Sequence, residues 1–135
     1  MYKKVFTLLL LLLPFQLLIA QKSLLKNFPE GYTPDEIGRR ISYRFVTEKH
    51  ALHAGKWIGY PETFYWNGSL KYAAAAKDKA LIKLLQARFE HLFTTEKALL
   101  PIKNHVDLNM FGSLPLELYW VTKDERYKEL GLPYA

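Results

Sequence analysis

The spacing of apolar and polar positions predicts helices throughout the chain after residue 32. Thr33-Pro34-Asp35-Glu36 is a helix start: Thr33 can cap, Pro34 suits the first helical position, and Glu36 completes a capping box. Ile37, Ile41 and Phe45 follow at i, i+4 and i+8, so a first helix running to about Val46 has one apolar face. His50 to Gly59 (HALHAGKWIG) reads as loop, because its two glycines argue against regular structure. From Pro61 a second helix is predicted over ETFYWNGSLKYAAAAK. Its few polar side chains are spread around it, so it should be buried nearly all round. Asp78 starts a third helix, in which Leu81, Leu85, Phe89 and Leu92 form a stripe opposite Lys79, Lys83, Gln86 and Glu90. That pattern belongs to an outer helix packed on one face.

Thr94 to Asn104 is a second irregular link. The stretch after it, Asn104 to Leu118 (NHVDLNMFGSLPLEL), runs from a polar cluster into an almost wholly apolar fourth helix ending near Thr122. Pro115 is tolerable there only in the first turn, where backbone N–H groups lack helical partners. Asp124 starts a fifth, polar helix, with Gly131 and Pro133 as stop signals.

A repeat runs through this pattern. Gly68-Ser69-Leu70 returns as Gly112-Ser113-Leu114, Lys77-Asp78 returns as Lys123-Asp124, and Leu84 and Leu130 each fall six residues after that aspartate. Each copy reads as a buried helix, a tight turn and an outer helix. The expected fold class is therefore all-α, built of helical hairpins in an open solenoid or a closed two-layer toroid. Two hairpins and one lone helix cannot surround an inner helix, and no polar capping helix follows Leu132-Pro133-Tyr134-Ala135. The expectation is a portion of a larger closed structure.

The first residues change the compartment. Lys3-Lys4, the apolar run from Val5 to Leu13, Pro14 and then Ile19-Ala20 before Gln21 have the layout of a secretory signal peptide over residues 1–20. Residues 21–32 read as linker and 33–135 as the helical domain. Removing the leader leaves 135 − 20 = 115 residues, and losing Lys3 and Lys4 lowers the formal charge from +6 to +4. That charge is scattered, so no nucleic-acid footprint is expected, and no stable membrane anchor remains after leader cleavage. With no cysteine there is neither a disulfide nor a thiolate metal site.

With these residues laid out, the chain resembles the glycoside hydrolase families of unsaturated glucuronyl and rhamnogalacturonyl hydrolases, the rhamnogalacturonyl branch more closely. The likeness rests on Pro34 to Arg40 (PDEIGRR), Tyr65 to Ala73 (YWNGSLKYA), Leu100-Pro101, Asn104 to Asp107 (NHVD), Phe111 to Glu117 (FGSLPLE) and Gly131 to Ala135 (GLPYA). It implies an (α/α)6 toroid, of which this chain would supply about the first third. It also implies an oligosaccharide substrate left by polysaccharide lyases, ending in a C4=C5 unsaturated uronic acid. Hydration of that double bond then releases the sugar, without metal or organic cofactor. By resemblance Asp107 matches one of two active-site aspartates, the one that holds the sugar and assists the proton donor. The donor would lie beyond residue 135, so this polypeptide alone is expected to be inactive.

Each site candidate also has a plainer role. Asp107 and Asn109 can serve a helix start, and His105 can bond to backbone instead of walling a site. Trp66 can be core instead of a sugar-stacking platform, and Tyr65 reads as core. His50, His53 and His91 lack metal-motif spacing and read as solvated or structural. Asn67-Gly68-Ser69 matches a glycosylation acceptor by chance within a helix. A helical-repeat binding module and a remnant of a broken gene are the alternatives to a hydrolase portion.

Overall fold

The computed structural model describes residues 27–50 and 52–135. The predicted leader and the first half of the linker, residues 21–26, lie outside them. Residues up to Thr33 and those from Pro34 to Ala135 form two separate units. In the first, the Tyr32 N–H donates to the Pro29 carbonyl at 3.0 Å across a turn, with Gly31 at φ 80°. That is the Pro-Glu-Gly turn read from the sequence.

The second unit is all-α. It holds α1 (Pro34–Thr47), α2 (Tyr60–Ala75), α3 (Lys79–Glu90), the single turn α4 (Val106–Asn109), α5 (Ser113–Thr122) and α6 (Glu125–Gly131). Short 3-10 turns occupy Leu52–Gly55, His91–Phe93, Lys97–Leu99, Met110–Gly112 and Leu132–Tyr134. Among the described residues there is no strand, and no helix is long and apolar enough to cross a membrane.

Two layers follow from the cross-helix bonds. The Tyr72 hydroxyl reaches the Asp35 carbonyl and that of Tyr65 the Ile41 carbonyl, each at 3.1 Å, so α1 runs antiparallel to α2. Asn67 donates to Ser113 Oγ at 3.2 Å, while residues 71–77 share a hollow with 117–121. Early therefore meets early and late meets late, and α2 and α5 lie parallel in one layer. The other layer is joined by the Tyr43 hydroxyl on Asp78 (3.1 Å), Arg88 on the Val46 carbonyl (3.2 Å) and Arg126 on Glu90 (3.1 and 3.2 Å). These bonds tie α1, α3 and α6.

Phe89 is the hub of the core between the layers. Its ring lies 5.5 Å from Trp66 on α2, 6.1 Å from Phe111 ahead of α5 and 5.5 Å from Tyr127 on α6. All four are fully buried, as are Leu81, Leu85 and Leu92, the stripe expected on the third helix. Trp66 and Tyr127 meet Phe89 edge-on and Phe111 stacks on it, so the buried rings supply both apolar area and a defined geometry.

The repeat is structural at its turns. Lys77 and Lys123 both take left-handed backbone (φ 56° and 63°), and the aspartate after each caps the next helix. Asp78 Oδ1 accepts from the Leu81 N–H and Asp124 Oδ1 from the Arg126 N–H, each at 3.0 Å. Pro115 falls in the first turn of α5, as required. The repeat breaks at its glycines. A Cβ on Gly68 would meet nothing within 4 Å, whereas one on Gly112 would run into Tyr134 and the Gly131 carbonyl.

Three expectations need correction. On α1 the buried side chains are Ser42 and Phe45, and Ile41 is exposed. The helix turns its small residues inward because the Tyr72 ring packs where a Gly38 side chain would stand. On α2, Tyr60, Phe64, Gly68, Lys71 and Ala75 are exposed along one stripe, so the helix is not buried nearly all round. Its neighbours α1, α3 and α5 leave that stripe uncovered. Lastly, α6 is less polar than its composition suggested, since Tyr127 is fully buried.

Candidate functional site

Two irregular links, each delivering residues to the start of an α2/α5-layer helix, build a hollow of about 250 Å³. It is lined by His53, Trp57, Gly59, Tyr60, His105, Asp107 and Leu108. Gly59 is extended (φ −93°, ψ 173°) ahead of α2, and Pro61 sits in the first turn, where a missing N–H costs nothing. Tyr60, first residue of the helix, therefore keeps its ring at the surface. Trp57 stacks on His53, with centroids 4.7 Å apart and planes 17° apart. A side chain on Gly59 would occupy the place of the His53 ring.

The opposite wall comes from the polar cluster. His105 is extended (φ −146°, ψ 141°), and its Nδ1 accepts from the Asp107 N–H at 3.3 Å. That uses the Nδ1 lone pair and leaves the proton of a neutral ring on Nε2. Asp107 Oδ2 lies 3.6 Å from the same nitrogen, too far for a hydrogen bond. Both side chains are more than half exposed, His105 at 61% and Asp107 at 55%. The hollow thus offers an open carboxylate, the imidazoles of His53 and His105, and the rings of Trp57 and Tyr60.

His105 and Asp107 share this site; Trp66 and Asn109 do not. Trp66 has no exposed surface, and its indole N–H donates to the Leu85 carbonyl at 3.4 Å. It takes the core role and presents no ring face to a ligand. Asn109 lies two residues past Asp107 on a helical turn, which sends the two side chains to nearly opposite sides. It lines a separate hollow with Met110, Leu116 and Tyr134. Asn67, the glycosylation-motif residue, is half-buried within α2 and bonded to Ser113.

Trp57, inside the predicted loop, and Tyr60, between that loop and the predicted helix, are not among the residues the sequence singles out. The available signal was an aromatic pair flanking the start of an apolar helix, the same placement that singled out residues 104–109.

A larger cleft of about 590 Å³ lies between the end of α1, α3 and the 94–104 link. Of its charged side chains, His50 pairs with Glu96 and also with Glu62, and Arg88 lies 3.9 Å from Glu62; Glu48, Lys49 and His91 line it as well. Size alone therefore does not make it the better site. In comparisons with known proteins, no family model, no curated protein and no solved structure matches the chain.

Proposed function

We propose that this chain is a portion of a secreted glycoside hydrolase acting on the unsaturated uronic acid that ends lyase-generated oligosaccharides of pectin or rhamnogalacturonan type. The observation that carries the reading is the meeting of Asp107 with the exposed rings of Trp57 and Tyr60 in one hollow. Flat ring faces cover the C–H face of a pyranose, and a free carboxylate accepts hydrogen bonds from its hydroxyls. About 250 Å³ is below the roughly 300–1,000 Å³ of drug-sized ligand sites, so the hollow holds no more than one terminal sugar residue. Asp107 holds the sugar and assists a proton donor supplied from elsewhere, and His105 walls the site. In the same reading, the parallel α2 and α5 with their repeated turns are successive hairpins of an α/α toroid.

Binding tests this directly. Calorimetric titration with an unsaturated galacturonyl-rhamnose disaccharide should saturate, and the saturated disaccharide should bind several-fold more weakly. Tyr60→Ala and Asp107→Asn should each weaken binding about tenfold, the loss of one charge-assisted hydrogen bond or one ring contact. Equal affinity for both sugars, or unchanged affinity in both variants, would remove the assignment.

A further inference from the structure

Among the described residues, two polar contacts fasten the links that build the hollow to each other. One is backbone: the Ile58 N–H donates to the Leu99 carbonyl at 2.9 Å, with the Ile58 side chain fully buried. The other is His50. Its side chain is only 8% exposed and lies against the Trp66 ring, with centroids 5.9 Å apart. Its Nδ1 contacts the Glu62 carboxylate on α2, and its Nε2 lies 3.2 Å from Glu96 Oε2 on the 94–104 link. A neutral imidazole has one N–H and one lone pair, so it can satisfy one carboxylate and must turn a lone pair on the other. Two carboxylates are both satisfied only by a ring carrying both protons.

The charge balance points the same way. Two carboxylates, Glu62 and Glu96, face one guanidinium, Arg88, leaving one negative charge uncompensated until His50 is protonated. Arg88 is already shared among the Val46 and Glu48 carbonyls and the Phe45 and Trp66 rings, and burial pulls its guanidinium below the ordinary arginine range. Glu62 Oε2 is buried without a protein hydrogen-bond partner, and Arg88 stands 3.9 Å from the other oxygen, so the closest contact on this carboxylate is the His50 ring. Glu48 and Lys49 beside His50, and His91 on the turn after α3, are the other charged or titratable groups lining this cleft.

We propose that His50, as an imidazolium, is a positioning residue that braces the 50–59 link against the 94–104 link. The hollow of Trp57, Tyr60, His105 and Asp107 is then held in register when the ring carries both protons, and loosens when it gives one up. The inference concerns the geometry of the hollow and stands whatever ligand the hollow takes.

The test reads the ring and the fastening separately in the full chain. Long-range ¹H–¹⁵N spectra of His50 should show both ring nitrogens protonated on the acid side, passing to one as pH rises. Amide exchange at Ile58, taken relative to Phe89 to remove global unfolding, should accelerate about tenfold across the same pH step, the loss of one charge-assisted hydrogen bond. His50→Gln, which offers one donor and one acceptor, should abolish that step while Phe89 stays protected. A His50 ring with a single protonated nitrogen throughout the folded range would overturn the proposal, even if the variant fails to fold. A pH step at Ile58 that survives in His50→Gln would overturn it equally.

Discussion

Gly112 and Gly131 meet with no room for a methyl group between them. A Cβ on Gly112 would stand 2.9 Å from the Gly131 carbonyl oxygen and 2.5 Å from Tyr134 Cβ; one on Gly131 would stand 3.0 Å from the Gly112 carbonyl oxygen. This contact closes the α5–α6 hairpin at the end opposite its Lys123-Asp124 turn. Tyr134 completes the closure, its hydroxyl bonding the Pro101 carbonyl at 2.8 Å and its ring lying 5.1 Å from Phe111.

Gly112→Ala should therefore destabilise the chain by about 1–3 kcal/mol, the ordinary cost of overpacking. Its repeat counterpart behaves oppositely. Gly68 is exposed in the middle of α2 with open space around a Cβ, so Gly68→Ala should stabilise by about 0.4–1 kcal/mol through the unfolded chain. Urea melts of the two variants check both signs. Equal effects would mean that the two glycines share a role after all.

Trp66 in the core and Trp57 in the hollow should separate stability from binding. Trp66→Ala empties a fully buried position against Phe45 and Phe89 and should cost about 3–5 kcal/mol. Trp57→Ala removes a ring that is 39% exposed and stacked on His53, and should cost about 1 kcal/mol while weakening sugar binding. Thermal melts and calorimetry on the same preparations check the pair. A Trp66→Ala chain as stable as the native one would contradict the core described here.

Acid should act through the repeated caps. The Leu81 N–H, with the Tyr43 hydroxyl behind it, holds the Asp78 carboxyl below its ordinary range; hydrogen bonds from the Arg126 side chain and backbone do the same for Asp124. A carboxyl depressed in the folded state contributes stability above its unfolded value and loses it as pH falls through the folded one. Melting temperature should accordingly drop on the acid side of the ordinary carboxylate range, about pH 4. Asp78→Asn, which can still accept from an N–H, should make that drop shallower. An acid limb of unchanged steepness in Asp78→Asn and Asp124→Asn would show that the caps do not drive it.

Much of the fold was legible because each helix carries its own boundary chemistry. Thr33-Pro34, Asp78 and Asp124 mark starts, and the Leu81–Leu92 stripe marks the face that is buried. The roll of α1 was not legible, since it depends on Gly38 admitting the Tyr72 ring, a contact between residues distant in sequence. One wall of the candidate hollow was legible for the same local reason: His105 and Asp107 are neighbours in the chain. Trp57 and Tyr60 lie far from them in sequence and come beside them in the fold, where the Ile58–Leu99 bond joins the two loops. The pairing of His50 with Glu62 and Glu96 is likewise a product of tertiary packing, over 12 and 46 residues of separation.

Chemical-shift mapping with the unsaturated disaccharide tests the placement of the site most directly. The largest changes in ¹H–¹⁵N spectra should fall on Trp57, Tyr60, His105, Asp107 and Leu108 and saturate with added ligand. Asn109 and the Trp66 indole should move little. Saturable shifts confined to Lys49, Arg88 and His91 would move the site to the larger cleft, and a titration without saturable shifts would contradict the sugar-binding reading altogether.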